Sequence, residues 1–237
     1  MNPALLQLER AAVDIGVALP PGAVAQFETY LRELAVWRRR LNLTAAATPQ
    51  AVISLHFVDS LLPLSVVDFP QAARVADVGT GGGFPGLPIK IVRPDLRVTL
   101  IEGSSRRVAF LEHMGRVLGL TDLAVVWGRA ESLGRQAEYR ERFDVVLSRA
   151  AARAGVTVEL CLPFAAVPGT LVLFKGPNAG PEIAAAGPLI ERLGGVLTEA
   201  RAMSLPGTDR SRLVVVIQKK SPCGAEYPRI PTRLGRL

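Results

Sequence analysis

A short apolar run, Val75–Val78, enters Gly79-Thr80-Gly81-Gly82-Gly83-Phe84-Pro85-Gly86 and passes directly into a helix-type segment near Leu87–Val92. A strand, a glycine-rich turn and a helix in immediate succession constrain this chain more than any other feature. Glycine permits the tight turn and lets a ligand approach the backbone closely, and the order strand–turn–helix belongs to sheets with helical crossovers. From Arg74 onward the same alternation continues. Strand-type runs fall at Val98–Ile101, Leu123–Trp127, Phe143–Leu147 and Thr170–Phe174. Helix-type runs lie near Arg106–Leu118, Glu131–Tyr139, Val156–Ala166 and Pro181–Leu193. The strands are apolar on both faces, which predicts a buried parallel sheet with helices on both sides. Two last runs, Val196–Leu205 and Leu213–Lys219, are separated by Pro206-Gly207-Thr208-Asp209 with no room for a helix. They predict an antiparallel pair.

The stretch before Arg74 has a different period. Val24, Phe27, Leu31 and Leu34 recur at helical spacing, extended by Trp37 and Leu41, and Arg38-Arg39-Arg40 closes the segment where cations favour a helix C-terminus. Thr48-Pro49 reads as an N-cap followed by proline at the first helical position, opening a helix through His56 and Asp59 that stops before Pro63. Asp68-Phe69-Pro70 reads as a linker. The expected organisation is a helical N-terminal extension over 1–70, a ligand-binding α/β domain over 71–220 and a basic tail over 221–237.

Charge narrows the class of partner. The chain of 237 residues carries Lys+Arg 28 against Asp+Glu 21, net +7, with a pI near 10.1. Such a balance favours an anionic partner, nucleic acid or a phosphate-bearing substrate. Two cysteines, Cys161 and Cys223, make neither a disulfide framework nor a Cys-rich metal site, and His56 and His113 show no zinc-ligand spacing, so no metal is expected. No signal peptide is evident at the N-terminus. The most apolar stretch, Leu160 to Phe174, is interrupted by Pro163, Pro168 and Gly169, so no membrane span is expected. A cytoplasmic location is expected.

Two nucleotide ligands suit the glycine loop. Gly81, Gly83 and Gly86 match G-x-G-x-x-G, the dinucleotide pattern, which is weak alone. Gly79, Gly81 and Gly83 equally give G-x-G-x-G after an acid, which resembles the S-adenosyl-L-methionine (AdoMet) loop of class I methyltransferases. Glu102 ends the second strand, placed beside the loop to accept hydrogen bonds from a ribose diol of either ligand. The terminal antiparallel pair resembles the added hairpin of class I methyltransferases, and Pro85 has no N–H to offer a pyrophosphate. After the third strand, Ala130 offers a backbone amide to an adenine, and Glu131 either holds the adenine amino group or starts the next helix favourably.

The fourth strand ends in Ser148-Arg149-Ala150-Ala151 at the crevice. The D/N-P-P-Y/F sequence of exocyclic-amine methyltransferases is missing there. Neither cysteine sits where a cytosine-C5 enzyme needs its thiol, and both read as structural or incidental. Arg149 stays protonated and cannot be a base; it can hold a carboxylate, a phosphate or a guanine edge, or form a structural ion pair. Lys175 at the end of the fifth strand is a candidate phosphate ligand. Arg38, Arg39 and Arg40, with Lys219, Lys220, Arg229, Arg233 and Arg236 near the C-terminus, are candidate RNA contacts or solvated faces. His56 reads as a core or cap residue.

Taken together, Asn42-Leu43-Thr44-Ala45, His56-Phe57-Val58-Asp59-Ser60-Leu61, Asp77 through Pro88, Arg106-Arg107-Val108-Ala109-Phe110-Leu111, Gly128-Arg129-Ala130-Glu131, Ser148-Arg149-Ala150, Lys175-Gly176 and Tyr227-Pro228-Arg229 resemble one family across nearly the whole chain. It is the bacterial 16S rRNA guanine-N7 methyltransferases, also called glucose-inhibited division protein B. The resemblance implies a class I, Rossmann-like methyltransferase with a mostly parallel seven-stranded sheet behind helical N-terminal residues. It implies AdoMet as methyl donor, and as acceptor a guanosine in the decoding region of 16S rRNA, met as RNA or in the small ribosomal subunit. Besides Gly81 and Gly83 of the loop, it implies Gly79, Phe84, Glu102, Gly103, Ser104, Ala130, Glu131 and Arg149 as cofactor positions. No catalytic base is implied, and a monomer is expected. Gly169-Thr170 departs from the paired glycines usual in the family, and the sequence after Arg229 departs from the usual tail. The alternatives are an AdoMet enzyme for another acceptor, an NAD(P)-binding oxidoreductase and a non-enzymatic RNA-binding protein. Intact Gly79, Gly81, Gly83 and Glu102 argue against the last.

Overall fold

A computed structural model describes residues 3–229, so Arg233 and Arg236 lie outside the described residues. Seven strands form one sheet in the order β3-β2-β1-β4-β5-β7-β6. They are β1 (Arg74–Val78), β2 (Arg97–Glu102), β3 (Leu123–Trp127), β4 (Phe143–Ser148), β5 (Ala165–Lys175), β6 (Gly195–Ser204) and β7 (Ser211–Lys219). The first five pair parallel, with Val75 between Val98 and Val145 in register. β7 lies antiparallel between β5 and β6, the expected terminal pair. Strand order reverses between β1 and β4, so a crevice opens past their carboxyl ends, where open α/β sheets bind ligands.

The N-terminal helices, α1 (Pro3–Asp14) and α2 (Ala23–Trp37), lead to a composite helix. It runs from α3 (Pro49–Val52) through a π-helical turn, Ile53–Val58, into α4 (Asp59–Leu61) and a 3-10 turn, Leu62–Ser65. Thr48 caps it, its hydroxyl accepting from the Ala51 N–H at 3.2 Å with Pro49 in the first turn. Further helices are α5 (Gly86–Val92), α6 (Ser105–Val117), α7 (Ala130–Leu133), α8 (Ala154–Cys161), α9 (Gly180–Ala185) and α10 (Gly187–Arg192).

Three helical readings need correction. The run expected over Glu131–Tyr139 is helical only to Leu133; Gly134 follows directly. The run Val156–Ala166 ends at Cys161 and turns 3-10 through Pro163, because proline cannot continue the backbone ladder. Pro181–Leu193 is two helices, since Gly187-Pro188 starts a new one.

Two apolar cores flank the sheet. One joins Leu5, Phe27, Tyr30 and Phe57 of the N-terminal helices to Val75, Leu100 and Phe110. The other joins Ala76, Val146 and Leu173 to Val158 of α8, Ile190 of α10, and Cys223 and Tyr227. The N-terminal residues therefore share a core with one face of the sheet, while residues 223–227 help to close the other.

Candidate functional site

The glycine loop is shaped by its own conformation and by what sits behind it. Gly79, Gly81 and Gly83 have φ of +75°, +61° and +91°. A Cβ on Gly79 or Gly81 would meet open space, whereas on Gly83 it would lie 2.4 Å from Leu87 Cδ1 and 2.7 Å from the Tyr30 hydroxyl. The first two glycines thus leave room on the ligand side and the third permits packing against the protein. Tyr30, fully buried on α2, donates to the Gly82 carbonyl at 2.5 Å and stacks on Phe84 at 5.3 Å between centroids.

Glu102 closes the loop from the other side. Its Oε2 accepts from the Gly81 N–H at 3.0 Å and its Oε1 from the Ser104 N–H at 2.9 Å, with Arg107 Nη1 at 3.8 Å. The carboxylate therefore stands beside the loop as the sequence predicts. Asp77 lies beneath. Its Oδ2 accepts from Thr80 Oγ1 at 2.6 Å and from the Gly86 N–H at 2.8 Å, while its buried Oδ1 has no hydrogen-bond partner. Burial pushes this carboxyl up from 3.8 to about 6, against the lowering pull of Thr80, Gly86 and Arg149.

A cavity of about 230 Å³ opens above these groups. Gly79, Glu102, Gly103, Ala130 and Glu131 line it, together with Ser148, Ala150 and the α8 residues Thr157, Leu160 and Cys161. Gly81 and Ser104 touch Glu102 through their amides, and Gly83 shapes the loop from behind. The residues suit AdoMet. Glu102 and Glu131 face a cavity with apolar walls for a nucleoside, and Asp77, buried behind the loop with one oxygen unpartnered, adds an acidic group that suits a sulfonium- and ammonium-bearing ligand.

The architecture and this cavity agree with the likenesses the chain shows to known proteins. The model of the family described as rRNA small subunit methyltransferase G matches residues 23–206. The protein of that name from Halalkalibacterium halodurans is 42% identical over 216 residues, 91% of each chain. The one from Desulforamulus reducens is 41% identical over 229 residues, 97% of this chain and 95% of its own. The chain belongs to this family. Among solved structures, the YcgJ protein from Bacillus subtilis shares the fold at TM-score 0.55 and 12% identity, covering 70% of this chain and 100% of its own. A precorrin-6y C5,15-methyltransferase from Geobacter metallireducens does so at TM-score 0.51 and 13% identity, covering 77% and 95%.

Within this small subunit methyltransferase G fold, four expected ligand contacts are placed elsewhere: Phe84, Arg149, Lys175 and Arg229. Arg149 does not line the cofactor cavity. Its Nη1 donates to Leu55 O and Asp59 Oδ2, both at 3.1 Å, its Nη2 meets His56 Nδ1 at 2.9 Å, and the guanidinium covers Phe84 at 5.0 Å. The structural ion pair named as the alternative for Arg149 is therefore what forms, and Phe84 is its platform. Lys175 is buried, donating to the Ala152 carbonyl and pairing with Glu182 at 3.2 Å, so it presents no ammonium to a phosphate. Arg229 is bound to buried Glu159 through both its backbone N–H and its Nε, each at 2.8 Å, and through Nη2. For the three cations the cause is the same: a carboxylate or carbonyl of another element takes the guanidinium or ammonium group, and local sequence carries no sign of it. Arg38, Arg39 and Arg40 are exposed, though Arg38 also donates to the Ala46 and Ala47 carbonyls at 3.0 and 2.9 Å.

His56 is held neutral, its pKa lowered to about 3 by burial and by the charges of Arg149 and Arg212. Its Nδ1 accepts from Arg149, so Nε2 carries the proton and donates to Thr44 Oγ1 at 2.5 Å. Cys161 is buried, and burial pushes its thiol up to about 12. Sequence reasoning passed over Arg212 and the structural weight of Asp59. The only signal was Asp59 itself, an acid among apolar neighbours in a helix.

Proposed function

We propose that the chain is an AdoMet-dependent methyltransferase acting on N7 of a guanosine in the decoding region of 16S rRNA. Membership of the rRNA small subunit methyltransferase G family carries the reading, and the glycine-loop cavity walled by Glu102 and Glu131 supports it. Gly79, Glu102, Gly103, Ala130 and Glu131 hold the cofactor, with Gly81, Gly83 and Ser104 fixing the loop and the Glu102 carboxylate. When bound, AdoMet supplies an electrophilic methyl group on sulfur.

The chain's residues then have a positioning task. Guanine N7 carries an in-plane lone pair and no proton, so no base must act before transfer and no covalent intermediate is needed. Placing that lone pair in line with the methyl–sulfur bond, about 3–3.5 Å away, supplies the catalysis. Neither His56, with both ring nitrogens engaged, nor Cys161, with its thiol protonated and buried, is equipped for proton transfer or nucleophilic attack. Ser148 and Ala150 instead form a wall of the crevice.

We further propose that residues 1–70 form a helical extension that buttresses the α/β domain of 71–220, and that the protein works as a cytoplasmic monomer on RNA or the small ribosomal subunit. No helix among the described residues is long and apolar enough to cross a membrane.

The experiment is a map of N7-methylguanosine in 16S rRNA from cells with and without this chain. Loss of one such nucleotide, restored by the gene, is expected; an unchanged map overturns the reading. In single-turnover assays the rate is expected to be nearly flat between about pH 6 and 9, since no titrating base takes part. A rate rising tenfold per pH unit would refute direct transfer.

A further inference from the structure

An open cleft of about 720 Å³ lies beside the cofactor cavity, separated from it by the segment after β4. Ser148 at the end of β4 and Ala150 and Ala152 of that segment line the cavity, and Arg149 between them lines the cleft. The cleft's other walls include His56 of the π-helical turn and Arg210, Ser211 and Arg212 of the β6–β7 hairpin.

Charge is unbalanced at its floor. Asp59, fully buried, is the only carboxylate within ion-pair distance of either Arg149 or Arg212 among the described residues. His56, held neutral, adds no charge. Asp77 feels the charge of Arg149 from beneath the glycine loop but makes no contact with it. Two guanidinium groups thus share one carboxylate at the edge of a solvent-filled cleft, where a cation in excess seeks an anion.

The two arginines differ in what they have left to give. Arg149 is engaged by Leu55, His56 and Asp59 and covers Phe84. Arg212 donates from Nε and Nη2 to Asp59, both at 2.8 Å. That leaves three of the five guanidinium N–H donors unspent on Asp59, on a side chain that is 23% exposed. The bidentate contact fixes the plane of the group and so aims its outer edge.

We propose that Arg212, aimed by Asp59, binds a backbone phosphodiester of the RNA in this cleft and thereby positions the nucleotide whose base enters the crevice. The assignment rests on the reading of the substrate as RNA. Arg212 acts as a positioning residue; Asp209 and Arg210 on the same wall offset each other in charge.

The test is the salt dependence of 16S rRNA binding by the full chain, for wild type, Arg212→Gln and Arg212→Lys. Removing Arg212 leaves Asp59 paired with Arg149, so the glutamine variant is expected to fold. It should bind RNA about tenfold more weakly at low salt, with a log–log salt slope shallower by about 0.7. AdoMet affinity should be unchanged. Arg212→Lys, which keeps the charge without the bidentate geometry, should recover the slope. A slope equal to wild type in the glutamine variant overturns the proposal. So does a cleft that takes inorganic phosphate while that slope stays unmoved, since it then serves a free anion. Wild-type protein that does not bind RNA refutes the substrate reading itself, a result distinct from failure of Arg212 alone.

Discussion

Asp77 is the residue with the plainest energetic signature. It is fully buried at the end of β1, accepts two hydrogen bonds on one oxygen and has none on the other. Folding raises its pKa from 3.8 to about 6, so the native state favours the protonated carboxyl. The stability this adds is complete below about pH 4 and is lost as pH rises through about 6. The full swing is about 3 kcal/mol, from 1.36 kcal/mol per pKa unit. Asp77→Asn keeps an accepting oxygen for Thr80 and Gly86 and removes the titration. Urea melts at pH 4 and pH 7 should therefore show the variant gaining on wild type by up to about 3 kcal/mol at the higher pH. Parallel stability curves for the two proteins would show that Asp77 does not titrate in this range.

At the scale of elements, α2 is a support for the ligand loop as well as part of a core. Tyr30 reaches Gly82 across 52 residues of sequence, and its hydroxyl is that carbonyl's partner in a buried setting. Tyr30→Phe leaves a buried carbonyl unsatisfied and should cost about 1–3 kcal/mol. Because the carbonyl belongs to the glycine loop, calorimetry should also show weaker AdoMet binding, while a neutral change elsewhere on α2 should leave it alone. Unaltered AdoMet affinity in a destabilised variant would separate the helix from the site.

Such contacts mark the limit of what the sequence makes legible. Leu123–Trp127 is placed to the residue, and β1, β2 and β4 to within one residue at each end, because apolar runs between turns announce buried strands. β5 starts five residues earlier than Thr170, since Pro168-Gly169 reads as a break but lies within the strand. Glu102 and the glycines are legible because backbone conformation and strand-end placement are local properties. The fates of Arg149, Lys175 and Arg229 are not, because each depends on an acid or carbonyl between 7 and 94 residues away. The π-helical turn is equally silent in sequence. Yet it brings Leu55 O, His56 Nδ1 and Asp59 to bear on one guanidinium, and π-turns of this kind gather at functional sites.

For the whole molecule, the last described residues behave as a latch. Arg135 donates to the Glu226 and Pro228 carbonyls at 2.6 and 2.8 Å, and Arg140 to Cys223 and Tyr227 at 2.8 and 2.7 Å. Glu141 receives the Cys223 N–H at 3.0 Å. Arg229 completes the latch on Glu159, which sits fully buried in α8, and the same helix lends Thr157, Leu160 and Cys161 to the cofactor cavity. A basic segment that suggests an RNA arm is thus spent, up to residue 229, on closing the second core. Arg229→Ala strands a buried carboxylate and should cost about 2–4 kcal/mol, somewhat below a fully enclosed pair because the arginine is partly exposed. Adding Glu159→Gln removes the stranded charge, so the double variant should be more stable than the single one in urea melts. Its RNA salt slope should match wild type, as no phosphate contact is lost. An arginine serving RNA would give the opposite pattern: a shallower slope, little change in stability, and no rescue by Glu159→Gln.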